Sequence, residues 1–404
     1  MTSSKTKQHK CVCCGSMSLT TIIKLSPCPL SDNYQDTSVK SLALTYYPCN
    51  LQLCNDCGHS QLESFVEPDE SYSEYIYKSK VTLGLNDAFD EYSKKVKEIF
   101  GDTERIDLLD IGSNDGSFIS SCSSDGINAY GVEPAENLVK ACKGAGLKVK
   151  QGFFDKNFKI NVDDDFPGKF DVVTFNNVLA NIAKPQEALI TAKHLLKDYN
   201  SMIVVQTGYH PLLFSKGLFD YIYHEHFSYF SIKSLNTLAE SIGLELVKYE
   251  QLQLRGGSIR AFLRQKQSEI TKSITPKYER FTCKSELSDL KCLINYSALR
   301  IKEKLDSYLE KGFEIIGYGA SHSTGMLVHM FGLEPYLSYL VDENQDKVDK
   351  YMPGTSLIVQ NSNDLKPSKQ TIVIVLAWQY YEQIKTKLIN KGFSADAVLK
   401  PMLP

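Results

Sequence analysis

Leu108-Leu109-Asp110-Ile111-Gly112-Ser113-Asn114-Asp115-Gly116 reads as an apolar strand running into a glycine turn, and the alternating pattern downstream of it decides the fold. An apolar run from Ile106 to Ile111, a helix from Ser117, and a second run from Ala129 to Val132 ending in Glu133-Pro134 alternate strand and helix. A helix to about Ala145 and a third run, Asp171-Val172-Val173-Thr174-Phe175, continue the pattern. Such alternation implies a parallel, doubly wound α/β sheet. Upstream, Asn86 to Phe100 carries apolar residues at helical spacing and predicts a helix leading into the first strand.

Gly112 and Gly116 let backbone amides approach a ligand. Glu133 follows Gly112 by about twenty residues at the end of the second strand, where a carboxylate can accept both hydroxyls of a ribose. Asn176 and Asn177 end the next strand and face the same crevice, because ligands sit at the carboxyl ends of such strands. Gly152-Phe153-Phe154 can wall an adenine ring. The spacing Asp110-x-Gly112-x-x-x-Gly116 differs from the Gly-x-Gly-x-x-Gly dinucleotide fingerprint and resembles the first motif of S-adenosylmethionine-dependent methyltransferases. That resemblance implies cofactor contacts from Asp110, Gly112, Asn114, Asp115, Gly116 and Phe118 in the turn and its helix. Glu133, Phe154, Asn176 and Asn177 join them, with Tyr77 from a Tyr-rich connection upstream.

A chain of 404 residues exceeds what one hydrophobic core usually organises, and 42% hydrophobic with 23% charged residues is ordinary globular composition, so two or three domains are expected. A formal net charge of −3 gives no general electrostatic reason to bind nucleic acid, and a small-molecule substrate is expected instead. No run of about 18 apolar residues appears, and the polar N-terminus has no apolar segment after it. The expectation is a cytoplasmic protein without membrane contact.

Five of the eleven cysteines fall in two tight clusters, Cys11-Val12-Cys13-Cys14-Gly15 and Cys54-Asn55-Asp56-Cys57-Gly58. Each holds a Cys-x-x-Cys followed by glycine, the knuckle that lets two thiolates of one turn reach the same ion. Cys11, Cys14, Cys54 and Cys57 therefore predict a structural Zn2+ site with no open position, Cys13 being spare. A thioredoxin-type redox pair needs a βαβ setting that this segment lacks. Residues 1–72 are expected to form the zinc-binding domain, with short strands around Cys28 and Cys49.

Tyr223-His224-Glu225-His226-Phe227-Ser228-Tyr229-Phe230 packs two imidazoles, a carboxylate and aromatic hydroxyls into eight residues. Histidines two apart do not share a helical face as zincin ligands do, but in an extended segment they point to one side. An imidazole near its ordinary pKa is suited to abstract a proton, provided that Glu225 or a tyrosine hydroxyl fixes its tautomer. Arg255-Gly256-Gly257-Ser258-Ile259-Arg260 is material for holding phosphate oxygens, or equally a hairpin turn.

From about Lys284 to Leu309 the spacing predicts a long helix. Phe313-Glu314-Ile315-Ile316-Gly317-Tyr318-Gly319-Ala320-Ser321 is then a strand entering Gly-x-Gly, and Leu337 to Val341 with Asp342 repeats the strand-plus-carboxylate arrangement. This half also reads as Rossmann-like, with a helix N-terminus able to cradle phosphate. Domains are expected at 73–265 and 266–404.

Taken in order, the cysteine knuckles, Asp110 to Gly116, Tyr223 to His226, Gly256 to Arg260, Gly317 to Ser321, Asp342 with Lys347, Pro353-Gly354 and Trp378 resemble the nucleotide-sugar C-methyltransferase family along nearly the whole chain. The resemblance implies a zinc-binding N-terminal domain, a central class I methyltransferase domain and a C-terminal Rossmann-like α/β domain that helps hold the sugar nucleotide. It implies an NDP-4-keto-6-deoxysugar methylated at C3, with His226 as base and Glu225 and Tyr223 as its neighbours. His224, Gly257, Ser258, Arg260, Tyr318 and Ser321 are implied substrate contacts, in a monomer or weak dimer. Two positions depart from the family: Asn181 stands where a histidine is frequent, still able to donate to the 4-oxygen, and His322-Ser323-Thr324 replaces a lysine-bearing stretch. The rival readings are a zinc-ribbon RNA methyltransferase and an O- or N-methyltransferase acting on a nucleotide sugar.

Overall fold

The computed structural model describes residues 5–66, 85–101, 103–160, 166–267 and 274–401. Strands β1 (Leu19–Ile23), β2 (Leu51–Cys54) and β3 (Ser60–Leu62) form an antiparallel meander. The turn joining β2 to β3 is the second cysteine knuckle, so strand pairing and metal binding constrain the same residues. Between β1 and β2 the expected strands are reduced to a five-residue helix, Ser38–Leu42, and an isolated bridge from Cys28 to Tyr47. Pro27 and Pro29 flank Cys28 and remove the donors a longer ladder needs.

In the central domain, helix α1 (Leu85–Phe100) buries Leu85, Phe89, Tyr92 and Val96, the stripe its spacing predicted. Then come β4 (Asp107–Ile111), α2 (Ser117–Ser124), β5 (Asn128–Glu133), α3 (Glu136–Gly144), β6 (Lys148–Gln151), β7 (Val172–Asn176), α4 (Pro185–His194) and β8 (Met202–Gly208). A two-residue strand β9 (Ser228–Tyr229), helix α5 (Ile232–Glu240) and the antiparallel pair β10 (Leu244–Leu252) and β11 (Ser258–Gln265) complete it. The seven-stranded sheet runs β10-β11-β8-β7-β4-β5-β6. The chain winds outward from β4 through β5 to β6 and then returns to β7, so a crevice opens at the carboxyl ends of β4 and β7.

Strand β9 does not join that sheet. It pairs with β3, Ser228 opposite Gln61 and Tyr229 opposite Ser60, making the fourth strand of the N-terminal meander. The Tyr223–Phe230 segment is thereby pinned to the zinc-binding domain.

Helix α6 (Lys284–Glu310) buries Leu287, Leu290, Ile294, Ile301 and Leu305. Beyond it, β12 (Glu314–Tyr318), α7 (His322–Phe331), β13 (Leu340–Asp342), β14 (Val359–Asn361), β15 (Thr371–Val375), α8 (Tyr381–Asn390) and β16 (Val398–Leu399) build a parallel sheet in the order β14-β13-β12-β15-β16. The expected strand from Leu337 begins only at Leu340, because Glu334–Tyr336 form a short helical turn just before it.

One apolar core is shared by the N-terminal meander, the segment 213–229 and the C-terminal sheet. Leu51, Phe214, Phe219, Ile222, Met326 and Phe331 all belong to it, and Phe219 stacks on Phe331 with ring centroids 5.4 Å apart. The Trp378 indole N–H donates to the buried Asp220 carboxylate at 2.9 Å, and the Tyr221 hydroxyl bridges the Arg255 carbonyl and the Gln379 side chain at 2.6 and 2.9 Å. Three parts of the chain thus position the Tyr223–His226 turn. Among the described residues no helix is long and apolar enough to cross a membrane.

Candidate active site

The glycine turn after β4 is tight for a stated reason. Gly112 has φ +69°, and a Cβ there would sit 2.4 Å from Val178 Cγ2. Glu133 braces the turn: one carboxylate oxygen accepts the Asn114 N–H at 2.9 Å and the other the Ala135 N–H at 3.0 Å. Burial raises its pKa above the ordinary carboxylate value.

The crevice continues into a cavity of about 740 Å³. Gly112, Asn114, Glu133, Phe154, Asn176 and Asn177 line one side. Asn181, Tyr223, Glu225, His226, Arg255 and His322 line the other. The side-chain carbonyl oxygens of Asn176 and Asn181 are buried and have no hydrogen-bond partner among the described residues. Buried acceptors are normally satisfied, so these two acceptors on a cavity wall suit a polar ligand. Together with a carboxylate for a ribose and an aromatic wall for a base, the residues present fit S-adenosylmethionine.

Four expected cofactor residues take supporting places instead. Asp110 is buried beneath the floor, accepting from the Thr174 hydroxyl at 2.7 Å and the Asn176 amide at 2.9 Å, and burial pushes its carboxyl up to about 7. Asp115 accepts from the Ser117 N–H and hydroxyl at the start of α2, at 3.2 and 2.7 Å. Gly116, at φ +76°, packs toward Leu147. Phe118 is on the far side of the sheet, stacked on Tyr92 at 4.7 Å, because the first turn of α2 presents it to α1. Tyr77 lies outside the described residues.

The Tyr223–His226 segment is a turn rather than an extended strand, closed by the His226 N–H to the Tyr223 carbonyl at 3.0 Å. The two imidazoles consequently diverge. His224 points away from the cavity into the N-terminal domain, its Nε2 3.1 Å from the Tyr47 carbonyl, and burial lowers its pKa to about 4. His226 remains on the cavity. Its Nδ1 lies 3.1 Å from the Tyr221 carbonyl, which can only accept, so that nitrogen carries the proton and Nε2 offers its lone pair to the Tyr223 hydroxyl at 2.9 Å. Burial, opposed by the Tyr221 carbonyl and reinforced by the charges of His322 and Arg255, takes the His226 pKa down to about 3. The ring is neutral near pH 7, but it does not keep the ordinary imidazole pKa expected of the base, because burial makes it a weaker base than a free imidazole. A backbone carbonyl, not Glu225, sets its tautomer; Glu225 faces His322 instead, 3.4 Å away.

The expected substrate residues divide in the same way. Gly257 would place a Cβ 2.6 Å from Leu212, so it serves close packing within a hairpin turn. Ser258 donates to the Leu254 carbonyl at 3.1 Å and borders a recess beside His226. Arg260 is locked in the sheet, donating twice to Gln206 at 3.0 and 2.7 Å and lying 3.6 Å over the Tyr92 ring. Tyr318 donates to Glu343 at 3.0 Å, and Ser321 caps α7 through the Thr324 N–H. Neither lines the cavity. Among the cavity residues missing from the expected set are Arg255, whose φ is +49°, and His322. Arg255 stood in the quoted Arg-Gly-Gly motif; His322 carried no local signal beyond its odd placement after Gly-Ala-Ser.

The N-terminal thiols form a second centre. Cys11, Cys14, Cys54 and Cys57 bring their sulfurs within 4.8 Å of one another, with Cys11 to Cys57 and Cys14 to Cys54 both 3.6 Å. Tetrahedral zinc with Zn–S bonds of about 2.3 Å needs sulfurs roughly 3.8 Å apart. Gly15 and Gly58, both at positive φ, close the knuckles by donating to the Cys11 and Cys54 carbonyls at 2.9 and 3.0 Å. Four thiolates leave no position for catalysis, so an ion held here would be structural.

A doubly wound sheet whose crevice carries a brace of this kind, with a titratable cluster across the cavity, defines a class I methyltransferase that uses S-adenosylmethionine. Residues 85–249 match a methyltransferase domain, residues 11–72 a zinc binding domain and residues 253–391 a C-methyltransferase C-terminal domain. With all three in this order, the chain is similar to C-methyltransferases along most of its length. It is 24% identical over 388 residues to the C-methyltransferase NovU of Streptomyces niveus, covering 93% of this chain and 91% of that one. Among solved structures, magnesium protoporphyrin IX methyltransferase (ChlM) from Synechocystis PCC 6803 with bound SAH is 12% identical, at TM-score 0.37, over 46% of this chain and 84% of that one. SAM-bound CalS10, an amino pentose methyltransferase from Micromonospora echinaspora, is 13% identical at TM-score 0.36, over 48% and 99%.

Proposed function

We propose that this C-methyltransferase acts on carbon 3 of a nucleoside-diphosphate-linked 4-keto-6-deoxysugar, with His226 as the base. The observation that carries the reading is a neutral imidazole on the wall of the same cavity as Glu133, Asn114 and Asn176. When bound, S-adenosylmethionine supplies an electrophilic methyl group on a sulfonium centre. Glu133 accepts the ribose hydroxyls, Phe154 walls the adenine, and Asn176 and Asn177 meet polar atoms along the cofactor.

His226 Nε2 takes the proton α to the ketone, competing with the Tyr223 hydroxyl for its lone pair. The electron pair left behind is shared with the ketone oxygen, and a proton so placed is acidic enough for an imidazole once that oxygen is stabilised. The Asn181 amide donates to it. Arg255 on the same wall is suited to a phosphate oxygen of the nucleotide.

The test is incubation with methyl-labelled cofactor and a panel of NDP-4-keto-6-deoxysugars, locating the label by NMR. Solvent deuterium should enter C3 without cofactor, because only a C-methyltransferase has a reason to deprotonate carbon. Label on oxygen or nitrogen, or no exchange at C3, refutes the reading.

A further inference from the structure

The C-terminal domain repeats the brace of the central one and then fills it. Asp342, at the end of β13, accepts the Ala320 N–H at 2.6 Å and the Asn344 N–H at 2.8 Å, as Glu133 does for its own turn. The Ala320 carbonyl is taken by the Tyr34 hydroxyl at 2.8 Å and by the Lys347 ammonium at 3.0 Å. Lys347 also meets Asp32 Oδ1 at 2.8 Å. Tyr34 and Asp32 come from the N-terminal domain and engage this turn, Tyr34 at the Ala320 carbonyl directly and Asp32 through Lys347.

Asp32 carries the contact onward to the cavity. Its Oδ2 lies 2.9 Å from His322 Nε2, and Glu225 Oε1 lies 3.4 Å from the same nitrogen. The His322 ring stacks on Tyr223 with centroids 5.5 Å apart, and the Tyr223 ring has His226 at 4.1 Å. His226, Tyr223, Glu225 and His322 all line the cavity. We propose that His322 is a positioning residue of the active site: its ring, seated between Asp32 and Glu225, holds the Glu225 carboxylate and the Tyr223 ring in the pose in which His226 works.

Charge supports the geometry. Burial pulls the His322 pKa down, but the Asp32 and Glu225 carboxylates outweigh it and bring it up to about 10. Two histidines across one tyrosine thus sit in opposite protonation states at neutral pH, the arrangement that separates acid from base in active sites. Stability alone does not account for the cluster, since a buried ion pair is no better a stabiliser than packed apolar residues, and this one is on a cavity wall. The groups facing these rings are Asp32, Glu225 and Tyr223 around His322, with Lys347 paired to Asp32, and Tyr223, Tyr221, Arg255 and His322 itself around His226.

The inference rests on His226 being the base, so the experiment uses the zinc-loaded full chain with four variants, His322→Gln, His322→Lys, Asp32→Asn and His226→Asn. Turnover is measured against pH, S-adenosylmethionine affinity by calorimetry, and His226 titration by NMR of labelled histidine. Loss of the neighbouring cation in His322→Gln raises the His226 pKa, and the acid limb of kcat/KM moves up with it. At neutral pH kcat falls roughly tenfold or more, with cofactor affinity unchanged. His322→Lys restores the cation and recovers kcat in part.

Wild-type kcat with an unmoved limb in His322→Gln overturns the proposal, as does a lysine variant no better than glutamine. Should His322→Gln fail to bind cofactor, Asp32→Asn decides: a lowered His322 pKa supports the proposal and an unchanged one defeats it. Substantial turnover in His226→Asn marks failure of the base assignment instead. The NMR titration reads His226 even when no substrate is turned over.

Discussion

The two Rossmann-like halves carry the same device and use it differently. After β4 the Gly112 turn is braced by Glu133, and the space beyond it is open cavity. After β12 the Gly319 turn is braced by Asp342 in the same manner, yet Tyr34 and Lys347 take the Ala320 carbonyl next to it, with Asp32 paired to Lys347. A strand, a glycine turn and a carboxylate therefore define a place for a ligand only where no other part of the chain has claimed it. The claimed half still contributes, because its α7 delivers His322 to the cavity of the open one.

That contrast yields unequal effects of matched substitutions. The largest is expected at the open side, where His226→Asn should lower turnover about a hundredfold or more while cofactor affinity stays near wild type. Retention of more than about a tenth of the activity contradicts the role. Next, Glu133→Ala should weaken S-adenosylmethionine by roughly ten- to a hundredfold, the worth of charge-assisted hydrogen bonds, as read by calorimetry. Asp342→Ala should leave that affinity unchanged, and an equal loss in both would make the two turns equivalent after all.

A smaller effect is expected from Gly319→Ala. At φ +111° its Cβ would meet Ala377 at 2.7 Å, so about 1–3 kcal/mol of stability should be lost in denaturant titrations. Cofactor affinity should not follow, whereas in Gly112→Ala it should.

The smallest effect comes from pH. Burial lowers His210 to about 3 and His224 to about 4, against an unfolded value of 6.5. Their contribution to stability is therefore complete above about pH 6.5 and is lost as pH falls toward 4 and 3. Between pH 7 and 6 this is under ~1 kcal/mol per ring. Buried Asp110, near 7, and His322, near 10, act in the opposite sense over that interval, so each ring is read separately by NMR titration of labelled histidine. A His210 or His224 ring that titrates near 6.5 contradicts neutral burial of these rings.

Reading by period and spacing reached what neighbouring residues control. Helix α1, the β4-turn-α2 unit and the cysteine knuckles follow from local rules, since one turn holds each pair of thiolates and one stripe of side chains faces the sheet. The same reading placed His224 and His226 on one side, and a single turn at residues 223–226 separated them. It placed Arg260 among the phosphate contacts, where Gln206 and Tyr92 held it in the sheet. No spacing rule joins Asp32, Glu225 and His322, which are far apart in the chain and meet only because β9 pairs with β3 and a shared core draws the C-terminal sheet against both.

The amino-acid order alone determined the alternating sheet, the glycine turn with its carboxylate and the four-thiolate centre, because each is an interaction between residues one turn or one βα unit apart. Tertiary packing decided which imidazole faces the cavity, which carboxylate meets which histidine and which of two similar turns stays open. Those outcomes depend on distances between elements remote in the chain, and only the folded core sets them.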